Sequence, residues 1–401
     1  PSLLFGAILY VDKDGDPSWD GVDGHEYTGS PGVGKGYDSL QDVLYGTDGT
    51  DPAVAVGDTI YLRGGTYAET YGGTSSTGGA AMQISLSRNG TAWTAGNYTT
   101  LCSYPGEWAI IQGDNGASGH YYALGFGALS TGDSYSYQLK YWKFERLEIT
   151  QGSGFGLAAT GGPIWVRYCY IHDNGRGAVG DGNRAGLALL RARECIVEYN
   201  YFYANATAAN GNNNASVYIS SDYAWASFQI ASASWKNIVR YNYMLHDATG
   251  PYLGIKRKAD QMLTGYDAVN QYDHPCVEEE TTYREYGDEY HHNIIDVATM
   301  GIMDVMDYSK THHNILSGCR MEGEEGGDFW MHHGQSWWNN TIIGGQMRFS
   351  IGRNKACPTI TPKFFCVNNI ISGASSDNYY APLSIARLRW IMEHSSYLTR
   401  L

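Results

Sequence analysis

From about residue 160 onward the chain repeats one short pattern of apolar and polar positions. Each copy has an apolar or aromatic run, an Asn, two or three β-branched or aromatic residues, and then a polar turn. The copies are VRYCYIHDNG at 166–175, VEYNYFYANA at 197–206, VRYNYMLHDA at 239–248, YHHNIIDVAT at 290–299, THHNILSGCR at 311–320, WWNNTIIGGQ at 337–346 and CVNNIISGAS at 366–375. Each unit is too short and too polar to bury its own apolar face, so the pattern predicts units that stack into one continuous core.

One slot of this pattern holds the same residue in successive copies. It is filled first by Cys169 and then by Asn200, Asn242, Asn293, Asn314, Asn340 and Asn369. Asparagine tolerates the left-handed backbone conformation, and its amide can bond to the Asn above and below it. The 21 residues from Asn293 to Asn314 fit one bare coil. Met300, Met321 and Met347 each follow an Asn by seven residues, so we expect them to stack. The repeats predict an all-β, right-handed single-stranded parallel β-helix.

The N-terminal segment resembles a known family. YVDKDGDPSWDG at 10–21, YDSLQDVL at 37–44 and VGDTIYLRGGTYAET at 56–70 are similar to the N-terminal cap and first coil of the polysaccharide-active parallel β-helix superfamily, which includes pectate, alginate and chondroitin B lyases. The resemblance is close over about 70 residues and implies the fold. It is less specific for function, because the same cap occurs on lyases, hydrolases, epimerases and phage tailspikes.

We therefore expect three segments in one solenoid. Residues 1–70 form the N-terminal cap and first coil, and residues 71–375 form the β-helix, whose longest inserted loop covers about 259–289. Residues 376–401 lose the repeat and are expected to form a C-terminal helical plug on the open end. The helical spacing is carried by Leu383, Ile385, Leu388, Ile391 and Met392.

The amino-acid composition agrees with many short strands joined by turns, and it limits the classes of molecule that the protein could bind. The chain has 51 Gly and 33 Tyr, and only 17% of its residues are charged. A formal net charge of -14 argues against nucleic acid, whereas an acidic polysaccharide can be bound through bridging cations. No apolar run reaches the roughly 20 residues of a membrane span. Because the chain starts at Pro1 rather than Met, we expect an upstream segment to have been removed and the protein to be secreted or carried on a virion surface.

The stretch GIKRKAD at 254–260 is the first candidate site. If the apolar residues of this strand face inward, Lys256 and Lys258 face outward, and Arg257 lies at a corner or in a buried ion pair. The long acidic insertion follows directly. β-Elimination on a uronate sugar needs a base next to a cation that neutralises the sugar carboxylate, and a Lys beside other cations can be that base.

The arrangement resembles β-helical polysaccharide lyases, in which a Lys or Arg works beside Ca²⁺-binding carboxylates. The resemblance implies Lys256 as base and Arg257 or Lys258 as electrostatic partner. It also implies Glu278, Glu279 and Glu280 as Ca²⁺ ligands, with Ca²⁺ as a candidate cofactor. The Asp-Asp-Gly calcium signature of one pectate lyase family is missing here. In the alternative interpretation, the basic rung and the acidic loop only neutralise each other at the surface.

Three further groups are candidates for chemistry or binding. The residues that we expect to contact substrate are Tyr252, Trp330 and Arg348. The pairs His291-His292 and His312-His313 should stack, either as a metal site or, as we favour, as an aromatic ladder that Trp337-Trp338 continues. A third pair is His332-His333. The carboxylates that would suit a glycoside hydrolase are Asp304, Asp307, Glu322, Glu324, Glu325 and Asp328.

Seven cysteines contain no C-x-x-C pair. Cys357 and Cys366 could close a small loop, but buried unpaired thiols are the favoured interpretation. The sequence as a whole predicts a lyase acting on an acidic polysaccharide, monomeric in that role. The alternatives are a glycoside hydrolase and a glycan-binding tailspike or adhesin, the tailspike being a trimer.

Overall fold

The computed structural model describes the chain in eighteen segments. They are residues 6–12, 36–37, 39–44, 54–68, 80–84, 97–113, 122–126, 139–176, 184–190, 192–206, 214–220, 234–247, 253–260, 287–297, 299–306, 308–322, 335–348 and 365–373. The expected C-terminal plug at 376–401 lies outside them, so it stays a prediction.

Three parallel sheets make up nearly all of the described structure. The 12-stranded sheet contains β1 (Ile8–Val11), β2 (Gly36–Tyr37), β3 (Thr59–Leu62), β6 (Thr99–Ser103), β9 (Trp142–Glu145), β12 (Ile164–Arg167), β15 (Ile196–Glu198), β18 (Ile238–Arg240), β21 (Glu289–His291), β24 (Lys310–His312), β27 (Ser336–Trp338) and β30 (Phe365–Val367). The 10-stranded sheet contains β4 (Gly65–Tyr67), β7 (Ala109–Gln112), β10 (Leu147–Thr150), β13 (Tyr170–His172), β16 (Tyr201–Tyr203), β19 (Tyr243–Leu245), β22 (Ile294–Asp296), β25 (Ile315–Ser317), β28 (Thr341–Ile343) and β31 (Ile370–Ser372).

The 9-stranded sheet completes each coil. It contains β5 (Ala80–Ile84), β8 (Tyr122–Phe126), β11 (Phe155–Thr160), β14 (Arg184–Leu190), β17 (Asn214–Ser220), β20 (Leu253–Asp260), β23 (Met300–Met306), β26 (Arg320–Glu322) and β29 (Met347–Arg348). One short helix, α1 (Leu40–Leu44), lies near the N-terminal end and buries Leu40, Val43 and Leu44 in the core.

The order of the strands confirms the parallel β-helix. From β3 onward, consecutive strands pass from one sheet to the next, and each strand pairs in parallel with the strand three places further along the chain. In the central coils one side of each short strand is interior, as in β9, where Trp142 and Phe144 are fully buried and their rings stack at 5.9 Å. Stacked coils therefore share one apolar core, as the repeat predicts.

The asparagine ladder is present in the predicted slot. The buried side chains of Asn200, Asn242, Asn293, Asn314 and Asn340 each donate Nδ2–H to the Oδ1 of the next Asn at 2.9 to 3.0 Å. Cys169 donates its backbone N–H to Asn200 Oδ1 at 2.9 Å, which places it in the same slot. The residue before the slot is left-handed in successive coils, with φ between 53° and 56° from Tyr168 to Asn368. Each coil thus turns the same corner in the same way.

Two details of the predicted stacking are wrong. Met321 pairs with Met347, but Ile302 rather than Met300 pairs with Met321, because the register shifts between Met300 and Ile302. Trp337 does not continue the histidine ladder either. It pairs with Thr311 and is fully buried in the core, while Trp338 pairs with His312.

The described cysteines are all free thiols. Cys102, Cys169, Cys195 and Cys319 are buried, and burial raises the pKa of the Cys169 thiol to about 12. Cys366 is also free, as the favoured interpretation expects, and Cys357 lies outside the described residues. Among the described residues no helix is long and apolar enough to cross a membrane.

Candidate functional site

The basic rung at 254–260 lies on β20, and most of it is buried. Ile255 lies in the main apolar core, as the alternation predicts, whereas Leu253 is buried in a separate apolar cluster with Tyr218. Lys256 is also only 1% exposed. The Lys256 ammonium lies 5.9 Å from the centre of the Tyr218 ring, with which it is paired across β17 and β20. Lys256 is therefore packed beside the Tyr218 ring rather than projecting into solvent.

Arg257 lies inside the solenoid in an ion pair. Its Nε donates to Asp288 Oδ2 at 2.7 Å, and both side chains are 0% exposed. Nη2 of the same guanidinium donates to the Ser234 carbonyl at 2.9 Å. Asp288 also accepts from Tyr290 at 3.2 Å and from the side chain of Asn237 at 3.0 Å. Of the two positions expected for Arg257, the buried ion pair is the one observed, and its charge is directed away from the outer surface.

Asp304 is a second buried carboxyl in this interior region. It pairs with Arg257 across β20 and β23 and accepts hydrogen bonds from Ser309 and, at 3.3 Å, from Thr311. Burial raises the pKa of Asp304 to about 7, and the nearby Asp288 adds to the rise. A fully enclosed carboxyl cannot protonate a glycosidic oxygen outside the coil, so Asp304 is not a hydrolase residue in this structure.

Most of the other candidates lie outside the described part of the chain. Lys258 and Arg348 lie on β20 and β29, but their side chains fall outside the described residues. The remaining candidates outside them are Tyr252, Glu278, Glu279, Glu280, Asp307, Glu324, Glu325, Asp328, Trp330, His332 and His333. Glu322 is described and is 3% exposed, with its carboxylate 2.7 Å from Arg320 Nε.

An open groove lies on the outer face of the 10-stranded sheet, where β7, β10 and β13 end. This groove, called the His172 groove below, has a volume of about 580 Å³ and is lined by Ile110, Gln112, Glu148, Thr150, Gln151, His172, Asp173 and Arg176. Its residues come from three successive coils, which explains why no single stretch of sequence reveals it.

The turn after β13 builds the acid–base part of the groove. Ile171 is buried in the core, so its neighbours Tyr170 and His172 face outward, and their rings stack at 4.0 Å. Asp173 then takes a left-handed conformation with φ 52°, and Asn174 turns inward. The buried Asn174 amide donates to Asn205 at 3.0 Å in a second asparagine ladder. This ladder fixes the corner from which His172 and Asp173 project.

His172 lies between two carboxylates. Its Nδ1 is 2.7 Å from Asp173 Oδ2, and its Nε2 is 3.0 Å from Glu148 Oε1. Each ring nitrogen of His172 therefore has a carboxylate oxygen within hydrogen-bond distance. The other oxygen of Glu148 accepts from Trp108 Nε1 at 2.8 Å. The site therefore has proton donors and acceptors on neighbouring coils.

Arg176 supplies the positive charge of the groove. Its Nη2 contacts Asp247 and lies 3.2 Å from Asp173, and its Nε donates to the Ala204 carbonyl at 3.0 Å. These contacts fix the orientation of the guanidinium plane, and the Arg176 side chain is 30% exposed. Among the described residues, Nη1 has no hydrogen-bond acceptor, so that edge of the guanidinium is available to an anion.

Tyrosines extend the same face beyond the groove. Tyr170, Tyr201 and Tyr243 are in register on β13, β16 and β19, and Tyr201 and Tyr243 are 38% and 49% exposed. The Tyr170 and Tyr201 rings are tilted by 42°, so part of each ring face stays open. A neighbouring column of tyrosines is packed more closely face to face. Tyr168 and Tyr199 stack at 5.3 Å with an angle of 10°, which leaves mainly ring edges for a ligand.

The histidine pairs form the expected aromatic ladder. His291 stacks on His312 at 4.9 Å, His292 stacks on His313 at 4.9 Å, and Trp338 stacks on His312 at 4.2 Å. Burial lowers the pKa of His291 to about 4.

Comparisons with known proteins return structures but no sequence relatives. No family model and no curated protein matches the chain. An alginate lyase from Paenibacillus sp. str. FPU-7 is similar in structure with a TM-score of 0.43 at 13% identity, over 84% of this chain and 93% of that one. The pectate lyase Pel9A is similar with a TM-score of 0.45 at 12% identity, over 93% of this chain and 78% of that one. A protein of Geobacillus virus E2 is similar with a TM-score of 0.31 at 13% identity, over 82% of this chain and 56% of that one. With TM-scores below 0.5, none of these likenesses identifies a reaction for this chain.

Proposed function

We propose that the protein is a polysaccharide lyase that cleaves a uronate-containing glycan by β-elimination in the His172 groove. The observation that carries this proposal is the open edge of Arg176 next to the hydrogen-bonded pair of Glu148 and His172. A cation and a base side by side are the two groups that this reaction needs.

In the reaction, the base removes the proton from the sugar carbon that bears the carboxylate. The electron pair of that C–H bond forms a carbon–carbon double bond, and the bond to the neighbouring glycosidic oxygen breaks. The leaving oxygen takes up a proton. Arg176 Nη1 would hold the uronate carboxylate and stabilise the charge that develops on it. The Glu148–His172 pair would accept the abstracted proton, with Asp173 orienting the imidazole.

The shape of the surface suits a chain-like substrate. The groove crosses three coils, and the tyrosine row continues along the same sheet across β13, β16 and β19. Exposed aromatic side chains present large apolar surface at low conformational cost, with hydroxyls that can bond to sugar. A polysaccharide lying along the solenoid axis would contact the groove and Tyr201 together.

A glycoside hydrolase is the second candidate function. Two carboxylates, Glu148 and Asp173, flank His172, and Asp247 adds a third negative charge beside Arg176. This excess of carboxylates favours a neutral glycan and acid–base hydrolysis. The two reactions are separated by their products, because only elimination leaves an unsaturated sugar.

The basic rung remains an alternative position for the catalytic base. In that proposal Lys256 abstracts the proton, Lys258 is its electrostatic partner, and Ca²⁺ bound by Glu278, Glu279 and Glu280 neutralises the substrate. The burial of Lys256 and the ion pair of Arg257 favour the His172 groove over this arrangement. A glycan-binding tailspike or adhesin is the non-enzymatic alternative, secreted or on a virion.

The test is a panel of pectate, alginate and chondroitin, followed by absorbance of the unsaturated uronate with and without EDTA. We expect turnover by the wild type, a loss of at least about a hundredfold in His172→Ala and Arg176→Ala, and little change in Lys256→Ala. Activity that survives His172→Ala but is lost in Lys256→Ala would move the site to the basic rung. Glycan binding without any product would indicate the tailspike or adhesin alternative.

A further inference from the structure

Four histidines form a compact array at one corner of the solenoid, away from the His172 groove. His291 and His312 end β21 and β24 on the 12-stranded sheet, and His292 and His313 follow them in the left-handed conformation. Rings within each stack are nearly parallel, whereas the two rings within each coil are nearly perpendicular, at 82° and 85°. The array therefore brings two pairs of imidazoles edge to edge.

The ring edges that meet carry nitrogen atoms. His291 Nδ1 lies 2.7 Å from His292 Nδ1, and His312 Nδ1 lies 2.8 Å from His313 Nδ1. Stacking of aromatic faces does not require this, because a stack forms equally well with the nitrogens turned away. In each short contact one ring nitrogen donates its N–H and the other accepts through its lone pair.

Neighbouring polar groups fix which nitrogen of His312 carries the lone pair. Its Nε2 donates to Glu289 Oε1 at 2.9 Å. The lone pair of His312 is therefore on Nδ1. A carboxylate that holds one imidazole nitrogen while the other faces a common point is the usual support of a metal-binding histidine. On the next coil, Asn339 Nδ2 contacts His313 Nε2 at 3.1 Å, which places the proton of His313 on Nδ1.

We propose that His291, His292 and His312 bind a borderline transition-metal ion, with Zn²⁺ as the ion to test. One ligand nitrogen from each of these three residues lies within 4.8 Å of the other two. In a tetrahedral site with Zn–N distances of about 2.0–2.1 Å, ligand nitrogens are about 3.3 Å apart. For the ion to bind, the His291 and His292 rings, whose Nδ1 atoms are 2.7 Å apart, must separate slightly, and the His312 ring must tilt towards them. Both changes are side-chain rotations on a fixed backbone.

The surroundings allow the ion to enter and the proton to leave. His292 is exposed, while His291 and His312 are only 8% and 9% exposed. The proton of the hydrogen bond between His291 and His292 can move to the exposed Nε2 of His292 or to solvent when the ion binds. Three imidazoles leave the fourth position of the ion to water. Imidazole selects Zn²⁺, Ni²⁺ or Cu²⁺ over Ca²⁺, so this site is distinct from the calcium site expected in the acidic loop.

The experiment is calorimetric titration of the full chain with Zn²⁺ alone, after treatment with a chelator and dialysis. We expect the wild type to bind one more Zn²⁺ than His292→Ala, or to bind it at least tenfold more tightly. Because His292 is exposed, its replacement should leave the circular dichroism spectrum unchanged, which checks the fold. Excess Ca²⁺ should not displace the ion.

His313→Ala is the matched control on the same ladder. It removes an exposed imidazole of equal size and also frees Nδ1 of His312, so Zn²⁺ binding should be unchanged or tighter. Equal Zn²⁺ binding by the wild type and His292→Ala would overturn the proposal. Loss of binding in His313→Ala but not in His292→Ala would overturn it as well.

Discussion

The buried pair of Arg257 and Asp288 gives the sharpest test of how the interior is held together. We consider Arg257→Met, which keeps the length and apolar character of the side chain but removes its charge. The change leaves the Asp288 carboxylate fully buried, with Tyr290 and Asn237 as its remaining donors. Removing one partner of a buried ion pair costs about 3–5 kcal/mol, because the other charge is left uncompensated. The three hydrogen bonds that remain, from the Tyr290 hydroxyl and from the backbone and side chain of Asn237, place our expectation near 3 kcal/mol.

The compensating control is the double variant, in which Arg257→Met is combined with Asp288→Asn. Asparagine at 288 keeps an oxygen for the Asn237 amide, so it extends the ladder that Asn237 already forms with Cys195. With both charges gone, we expect the double variant to recover most of the loss, to within about 1 kcal/mol of the wild type. Urea denaturation followed by circular dichroism measures all three proteins.

The opposite result would place Arg257 at a substrate. If Arg257→Met unfolds at the same urea concentration as the wild type but loses activity, the guanidinium acts on the glycan and the interior ion pair is not what stabilises this coil. Asp288→Asn alone should be at least as harmful as Arg257→Met, because it leaves the buried Arg257 cation without its counter-ion.

Further changes test the ladder and the buried carboxyl. Asn293→Ala removes a rung that donates to Asn314 and Val239 and accepts from Asn242, so it should lower the free energy of unfolding by about 3 kcal/mol. Asn369→Ala, on the half-buried last rung, should lower it by only about 1 kcal/mol. Equal losses in the two variants would mean that burial does not determine how much a rung stabilises the fold. Asp304, whose pKa is raised to about 7 in the folded state, binds its proton more tightly there than when unfolded. Its contribution to stability is thus complete below about pH 4 and falls as pH rises towards 7, so Asp304→Asn should gain stability relative to the wild type across that interval by a few kcal/mol in thermal melts. A constant difference between the two proteins from pH 4 to pH 7 would show that Asp304 is ionised in the folded state throughout.

The fold was predictable because its main hydrogen bonds require a particular residue type. Each corner has a left-handed residue and, directly after it, a slot where an amide side chain can both donate and accept along the axis, and that slot holds Asn at 200, 242, 293, 314, 340 and 369. The methionine spacing was a weaker guide. A bulge between Met300 and Ile302 changes the register without changing the spacing from the Asn.

The candidate site was harder to predict because its parts are far apart in sequence. Glu148 and His172 are 24 residues apart, and Arg176 meets Asp247 across 71 residues. The segment IHDNGR at 171–176 contains the signal, since it places His, Asp and Arg around one corner, but its neighbours depend on the register of three coils. The burial of Lys256 was equally hidden, because alternation predicts which side of a strand a residue occupies and not what covers that side.

The central claim is that this solenoid breaks a uronate glycan by elimination in the His172 groove. Mass spectrometry of the products formed in heavy-oxygen water tests it most directly. The account predicts oligosaccharides that are lighter by one water than a hydrolysis product and whose new non-reducing end is unsaturated and free of heavy oxygen, and it predicts none from Arg176→Ala. Saturated products that carry one heavy oxygen atom would contradict elimination and assign hydrolysis to Glu148 and Asp173 instead.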